Sequence, residues 1–418
     1  MWIDFDGVYK NSDVWLNGAY LGHHTSGYVG FRYFLHNVTA APLRYGKGEE
    51  NVIAVRVDAL SVQEGWFYEG GGIYRHVSVS VSDPLSIVPD GVYAPSAVTG
   101  TINSGPFGAM GPQSASSATV MPQCDVFNGR SAAENITLLS RVLDSQGIVV
   151  GETSSWVLIP PGGTYRMFQE VSLTNISLWN TAAPYLYSLE SNVWSANGSL
   201  VDSVVTKFGL RSAVWSPNEG FQLNGFKIPV KGFSNHQSFG GCGNALPERV
   251  EEYRLHSLKA LGANLWRASY PYSATFMDLS DVMGMMLWVE NRLLHYQVQP
   301  VMAGAQARDL PPGQFADPQL LQDAQDMAVR ARNHPSVVIY SLCNEANCLI
   351  GDPNGGLVAA EFKAAINAVD WQHPITANTE WSVGSSDTLT NILDVMTTSY
   401  NYGTYEIYHR HHPFRPFM

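Results

Sequence analysis

Apolar and polar positions alternate with a period of two from the first residues onward, in Trp2-Ile3-Asp4-Phe5, Val14-Trp15-Leu16 and Val52-Ile53-Ala54-Val55-Arg56-Val57. Alternate side chains on a strand share a face, so this pattern predicts half-buried antiparallel strands. Asn17-Gly18, between two such runs, is a strong hairpin signal, because a two-residue turn needs residues that tolerate positive φ. Residues 1–83 therefore read as an antiparallel sandwich, with Asp83-Pro84 as a linker. Residues 84–212 again read as strands, with a Ser/Gly/Pro-rich loop from Gly100 to Ser117, and their number suits an immunoglobulin-like sandwich.

From Phe221 the rhythm changes. Ile228-Pro229-Val230-Lys231-Gly232 is followed by the helical pattern Arg249-Val250-Glu251-Glu252-Tyr253-Arg254-Leu255. Strands near 228, 264, 286, 338, 375 and 395, with helices near 250, 275, 322, 360 and 390, imply a parallel sheet over residues 213–418. The run Val337-Val338-Ile339-Tyr340-Ser341-Leu342 closes on Cys343-Asn344-Glu345-Ala346, as a buried parallel strand that presents a carboxylate at its C-terminal end. In a (β/α)8 barrel that end carries the chemistry, and six of the eight strands are visible here. A partly desolvated Glu345 can keep a proton and act as a general acid, while Asn344 bonds a sugar hydroxyl. The plainer reading is a strand-end Glu that caps the next helix, and the Asn-Glu pair alone does not decide between them.

Composition narrows the classes. The 418 residues, 45% of them hydrophobic, suffice for two or three domains, and 36 acidic against 24 basic residues give a net charge of −12. That balance argues against nucleic acid or an anionic membrane as partner, and no apolar run reaches transmembrane length. Met1-Trp2-Ile3-Asp4-Phe5 does not resemble a signal peptide, yet sequons at Asn37, Asn135, Asn175 and Asn197 would permit glycosylation in a secretory compartment. Cys124, Cys242, Cys343 and Cys348 are too scattered for a disulfide framework and fit no common zinc spacing.

The chain resembles glycoside hydrolase family 2 in a set of spaced motifs: Asp13-Val14-Trp15-Leu16-Asn17-Gly18, Gly71-Gly72-Ile73-Tyr74-Arg75, Phe208-Gly209-Leu210-Arg211, Lys231-Gly232-Phe233-Ser234-Asn235-His236-Gln237, Gly262-Ala263-Asn264-Leu265-Trp266-Arg267, and Asn333-His334-Pro335-Ser336-Val337 leading to Asn344-Glu345. The resemblance implies a jelly-roll-like sandwich, an immunoglobulin-like sandwich and a catalytic TIM barrel. Asn235-His236-Gln237 with Glu290-Asn291-Arg292 is most similar to the β-galactosidase branch, which implies retaining hydrolysis of terminal β-D-galactosides by two carboxyl groups about 5 Å apart. Glu345 matches the acid/base. The matching nucleophile lies on the seventh barrel strand, and His412-Pro413-Phe414-Arg415-Pro416 is followed only by Phe417 and Met418. Both ends thus look cut, and the chain reads as an inactive interior fragment lacking about the last two β/α units.

The resemblance also nominates binding residues. His236 and Asn235 follow the first barrel strand, Arg267 ends the second, and Glu290 ends the third, where it would bind sugar or orient other groups; Tyr402 follows the sixth as a hydrogen-bond partner for the nucleophile, and Trp381 offers a platform for the sugar ring. Glu64 and Trp66 belong to a loop of the first sandwich expected over the barrel mouth. Two departures stand out. Ala268-Ser269-Tyr270-Pro271 lacks the family's His after the second strand, and Ser238 stands where galactosidases tend to have Asp. Val289-Glu290-Asn291-Arg292-Leu293-Leu294 does not fit the magnesium ligands of some relatives, and the His409-Arg410-His411-His412 cluster reads as a solvated tail, so neither metal nor cofactor is expected. The alternatives are a non-catalytic carbohydrate-binding or scaffold protein with a degenerate barrel, and a β-glucuronidase or β-mannosidase relative. Oligomerisation is left open.

Overall fold

The structure is a computed structural model that describes residues 1–35, 42–60, 70–291, 314–345, 349, 354–379 and 387–418. In the first sandwich, Trp2–Phe5 lies between Phe31–Phe34 and Val77–Ser80, all antiparallel, and Ser12–Leu16 lies between Ala19–His24 and Ile53–Val57. The alternating residues Ile3, Phe5, Val14 and Leu16 point into one core with Val8, Phe31 and Leu35. At the predicted hairpin, Leu16 pairs with Ala19, and Asn17 and Gly18 have φ of 48° and 89°, the conformation that a twist-matched two-residue turn requires.

The second sandwich is built from Leu85–Tyr93, Gln123–Asn128 and Thr164–Phe168 together with the sheet Val149–Ile159, Glu134–Leu143, Tyr187–Ser195 and Leu200–Phe208. The stretch read as a loop from Gly100 to Ser117 instead contains the strand Ile102–Asn103 and the start of Gln113–Val120, which pairs with Val171–Leu178. Its small Ser and Ala side chains match a closely packed ladder, so tertiary pairing overrides the loop-like composition.

The barrel strands are β1 (Gly232–Ser234), β2 (Leu265–Arg267), β3 (Met286–Glu290), β4 (Val337–Ser341), β5 (Ile375–Thr376), β6 (Asn378–Thr379) and β7 (Thr397–Thr398). β1 to β5 form one parallel sheet in chain order, and β6, one residue beyond β5, pairs with β7. Every residue of β3 and β4 is buried, as expected of strands covered on both faces. The segment near 228 is not the first barrel strand. Phe226–Lys227 closes a hairpin with Gly220–Leu223, and β1 starts only after Pro229 and Val230. The intervening helices are α1 (Glu248–Ala260), α2 (Ala274–Met283), α3 (Pro318–Ala331), α4 (Gly355–Asn367) and α5 (Asp387–Ile392). The His409–His412 stretch, read as a solvated tail, belongs largely to α6 (Tyr405–His411), which is held down by buried Tyr408 stacking on Phe417 with ring centres 4.5 Å apart. Phe417 bridges Met396 in parallel, so the chain's last residues pair alongside β7.

Sequence motifs hold the sandwiches to the barrel. The Asn333 side chain donates to Val92 O and accepts from Ala94 N, both at the end of the second sandwich's first strand. Pro335 packs so tightly on Gly209 that a Cβ there would lie 2.7 Å from the proline ring, and Arg211 donates to Val337 O. The same junction buries Asp370, whose carboxylate accepts from Tyr93 Oη at 2.7 Å, Tyr340 Oη at 2.8 Å, His373 Nδ1 at 2.6 Å and Gln372 N at 3.0 Å. On the other side, Arg75 donates to Tyr28 O, Gln237 Oε1 and Pro271 O, clamping the first sandwich to the loop after β1.

Burial alone would push the Asp370 carboxyl up, but His373 and the hydrogen bonds from Tyr93 and Gln372 N outweigh it and hold the group down at about 2, from an ordinary 3.8. A carboxyl depressed in the folded state stabilises above its unfolded value and loses that contribution as pH falls through the folded value. Asp370→Asn is expected to lower the unfolding free energy at neutral pH by about 3 kcal/mol. It should also flatten the acid decline between about pH 3.8 and about pH 2, as read by urea titrations at several pH values.

Candidate active site

Parallel strands place their C-terminal ends at one mouth, and there β2, β3, β4, β6 and the turn after β7 bring their polar residues together. Glu290 ends β3 with 0% of its surface exposed. Its carboxylate accepts from Arg267 Nη2 at 3.1 and 3.2 Å and from Trp288 Nε1 at 3.0 Å, while the guanidinium sits 5.5 Å from the centre of the Trp288 ring. Glu290 was expected to bind sugar or to orient other groups. Full burial and three hydrogen bonds make it the anchor of Arg267.

Arg267 Nη2 also donates to Asn344 Oδ1, and Asn378 Nδ2 reaches the same oxygen at 3.3 Å. Ser399 Oγ in turn donates to Asn378 Oδ1 at 2.9 Å. With its oxygen engaged by two donors, the group Asn344 can still offer is its N–H2. The next residue, Glu345, adopts φ 52°, and Tyr400 adopts φ 67°, both in the left-handed region that costs a residue with a Cβ on the order of 1 kcal/mol or more. These two residues meet: Tyr400 Oη donates to Glu345 Oε1 at 2.8 Å. Glu345 is only partly buried, which leaves its carboxyl open to a ligand at the mouth.

The loop after β1 completes the arrangement. Asn235 N donates to Arg267 O at 2.8 Å, and its side-chain nitrogen donates to Phe233 O at 3.0 Å, so Asn235 ties β1 to β2. His236 lies with Nδ1 3.4 Å from Tyr270 Oη, and Arg254 donates to its carbonyl. Packing around the ring, then the positive charges of Arg267 and Arg254, hold His236 below its ordinary pKa, which favours a neutral imidazole at neutral pH. Tyr402, expected as a partner of the nucleophile, is 82% exposed in a short 3-10 turn, and Tyr400, two residues earlier, reaches Glu345. Glu64, Trp66 and Trp381 lie outside the described residues. The sequence reading passed over Asn378, Ser399, Tyr400 and Tyr270. The first three follow or occupy strand ends, the one signal that could have found them, while Tyr270 stands in the segment noted for its missing His.

Among the described residues one group has metal-ligand chemistry, Asp278, Asp281 and His334. His334 Nδ1 bonds Asp281 Oδ2 at 2.6 Å, and Asp281 Oδ1 accepts from Ser336 N at 3.0 Å, so this pair fastens α2 to the start of β4 at the end of the barrel remote from Glu345. Cys124 and Cys343 are buried free thiols and Cys242 an exposed one.

Arg267→Met would leave the Glu290 carboxylate buried without its cation, a change expected to cost about 3–5 kcal/mol. Arg267→Met combined with Glu290→Leu should recover part of that loss, and urea unfolding of the two single variants and the double variant measures the coupling.

Residues 216–414 match the family model described as "Glycosyl hydrolases family 2, TIM barrel domain", and residues 111–211 match the one described as "Glycosyl hydrolases family 2". The chain is 30% identical over 352 residues to the protein named "Beta-galactosidase BoGH2A" of Bacteroides ovatus, covering 82% of this chain and 37% of that one. It is 26% identical over 401 residues to a protein named "Beta-glucuronidase" of Bacteroides fragilis, covering 91% and 51%. In three dimensions it superposes on a glycosyl hydrolase family 2 member from Bacteroides cellulosilyticus with a TM-score of 0.85 and 27% identity, covering all of this chain and 52% of that one. The chain thus spans about half or less of the length of these relatives. With two sandwiches leading into a parallel barrel, and with both family matches in chain order, the chain belongs to glycosyl hydrolase family 2.

Proposed function

We propose that this chain carries the acid/base half of a retaining β-glycosidase, with Glu345 as the group that protonates the leaving oxygen and later activates water. The observation that carries the reading is the position of Glu345 just beyond β4, its carboxylate oriented by Tyr400 and its neighbour Asn344 held by Arg267 and Asn378. In this reading the Asn344 N–H2 bonds a sugar hydroxyl, and His236, held below its ordinary pKa, donates to a hydroxyl or to developing charge. Glu290 is an unsuitable nucleophile because it is fully buried and spent on Arg267 and Trp288. The nucleophile belongs on the next barrel strand, alongside β7, where Phe417 pairs. On this reading hydrolysis requires a second carboxylate on that strand, across the sugar from Glu345.

Terminal β-D-galactosides are the substrates proposed first, from Asn235-His236-Gln237 and from relatives named as β-galactosidases. β-Glucuronides are the second reading, because other relatives of similar identity are named as β-glucuronidases. Chromogenic β-galactoside, β-glucuronide and β-mannoside, assayed on the extended polypeptide, separate them. The galactoside should be cleaved fastest, and Glu345→Gln should lower kcat by about 10²–10⁴-fold, the usual worth of a general acid. Faster cleavage of the glucuronide would shift the substrate to the second reading. Sugar binding without cleavage of any substrate would favour a carbohydrate-binding protein, and cleavage by the 418-residue chain itself would overturn the nucleophile assignment.

A further inference from the structure

At the end of the barrel remote from Glu345, where the second sandwich meets the starts of β4 and β5, lies a cavity of about 270 Å³. Its wall includes Arg211, Arg332, His373, Gln372, Ser96 and Ala97. The Gln372 amide is used up by the sandwich, accepting from Ser96 N at 3.1 Å and donating to Ser96 O at 2.7 Å. The two arginines are not matched in the same way. Arg332 donates to Val369 O at 3.1 Å and Asp90 O at 2.8 Å, and its Nε, in a residue 6% exposed, has no hydrogen-bond partner among the described residues. Arg211 donates to Val337 O and, at 3.2 Å, to His373 Nε2.

The His373 imidazole lies between Arg211 and Asp370, with Nε2 3.2 Å from the Arg211 guanidinium and Nδ1 2.6 Å from the Asp370 carboxylate. Asp370 is the carboxylate bonded into this wall, and its oxygens are already filled by His373, two tyrosine hydroxyls and a backbone N–H. Asp281, nearby, is held by His334. Among the described residues neither guanidinium forms an ion pair with a carboxylate, because the two acids whose charge Arg211 feels, Asp281 and Asp370, are both already bonded to other donors. Burial accordingly pulls Arg211 down to about 10.

We propose that this cavity is a binding site, separate from the barrel mouth, for a small doubly charged oxyanion, a phosphate or a dicarboxylate, held by Arg211 and Arg332. Guanidinium groups suit such ligands because their planar N–H forks match the spacing of oxyanion oxygens. A bound anion would link the sandwich to the barrel by satisfying both arginines at once.

The test titrates inorganic phosphate, and separately malonate, into the 418-residue chain at an ionic strength held constant with sodium chloride. Calorimetry and the thermal midpoint are both read. The expected result is saturable one-site binding of at least one of them, with a rise in midpoint that follows occupancy. Arg332→Gln should raise Kd at least tenfold. Because that change could also disturb folding, Ala97→Phe, which places a ring at an exposed residue of the cavity wall, provides a second variant that should block entry with the unliganded midpoint unchanged. Preference for phosphate or malonate identifies the class of anion. No saturable binding of either, or an unchanged Kd in both variants, overturns the proposal.

Discussion

A carboxylate with no exposed surface must be matched, and the match between Glu290 and Arg267 governs the barrel mouth. Transferring either charge from water into the protein is costly, so once β2 and β3 are adjacent the guanidinium is drawn to Glu290 and held against the Trp288 ring. From there the same nitrogen reaches Asn344, the residue before Glu345. A pair that contributes little net stability thus fixes which side of the Asn344 amide remains open. Specificity of geometry, more than strength, is what the buried pair supplies.

The sandwiches act on the mouth indirectly. Arg75, from the Gly-Gly-Ile-Tyr-Arg motif, holds Gln237 and Pro271, and thereby the loops on either side of β2. Arg211 and Gly209, from the Phe-Gly-Leu-Arg motif, meet Pro335 and Val337 at the start of β4. β4 is therefore fastened at its beginning by one sandwich and finished at its end by Arg267 and Asn378. Motifs with no catalytic chemistry thus accompany the Asn-Glu pair because one holds the loops beside β2 and the other the start of β4, the strand that leads to the pair.

Where the sequence reading and the structure differ, the cause is long-range packing. The Ser-rich stretch Gln113–Val120 looks like a loop by composition and becomes a strand because Val171–Leu178 is there to pair with it. The histidine-rich stretch becomes helical because Tyr408 finds Phe417. Tyr400 escaped notice beside Tyr402, yet its backbone turns in the left-handed region and its ring meets Glu345. Nothing in the local spacing of Ser399-Tyr400-Asn401-Tyr402 distinguishes the two tyrosines.

Period and punctuation in the chain determined the sandwiches, the Asn17-Gly18 hairpin, the parallel barrel and the strand that ends at Glu345, because each depends on neighbours within a few residues. The tertiary structure decided which polar groups meet: Glu290 with Arg267, Asn378 with Asn344, Tyr400 with Glu345, and two arginines at one cavity at the far end. Such contacts join residues tens to more than a hundred positions apart. Their existence rests on strand order, burial and the cost of an unmatched charge, which no window of sequence contains.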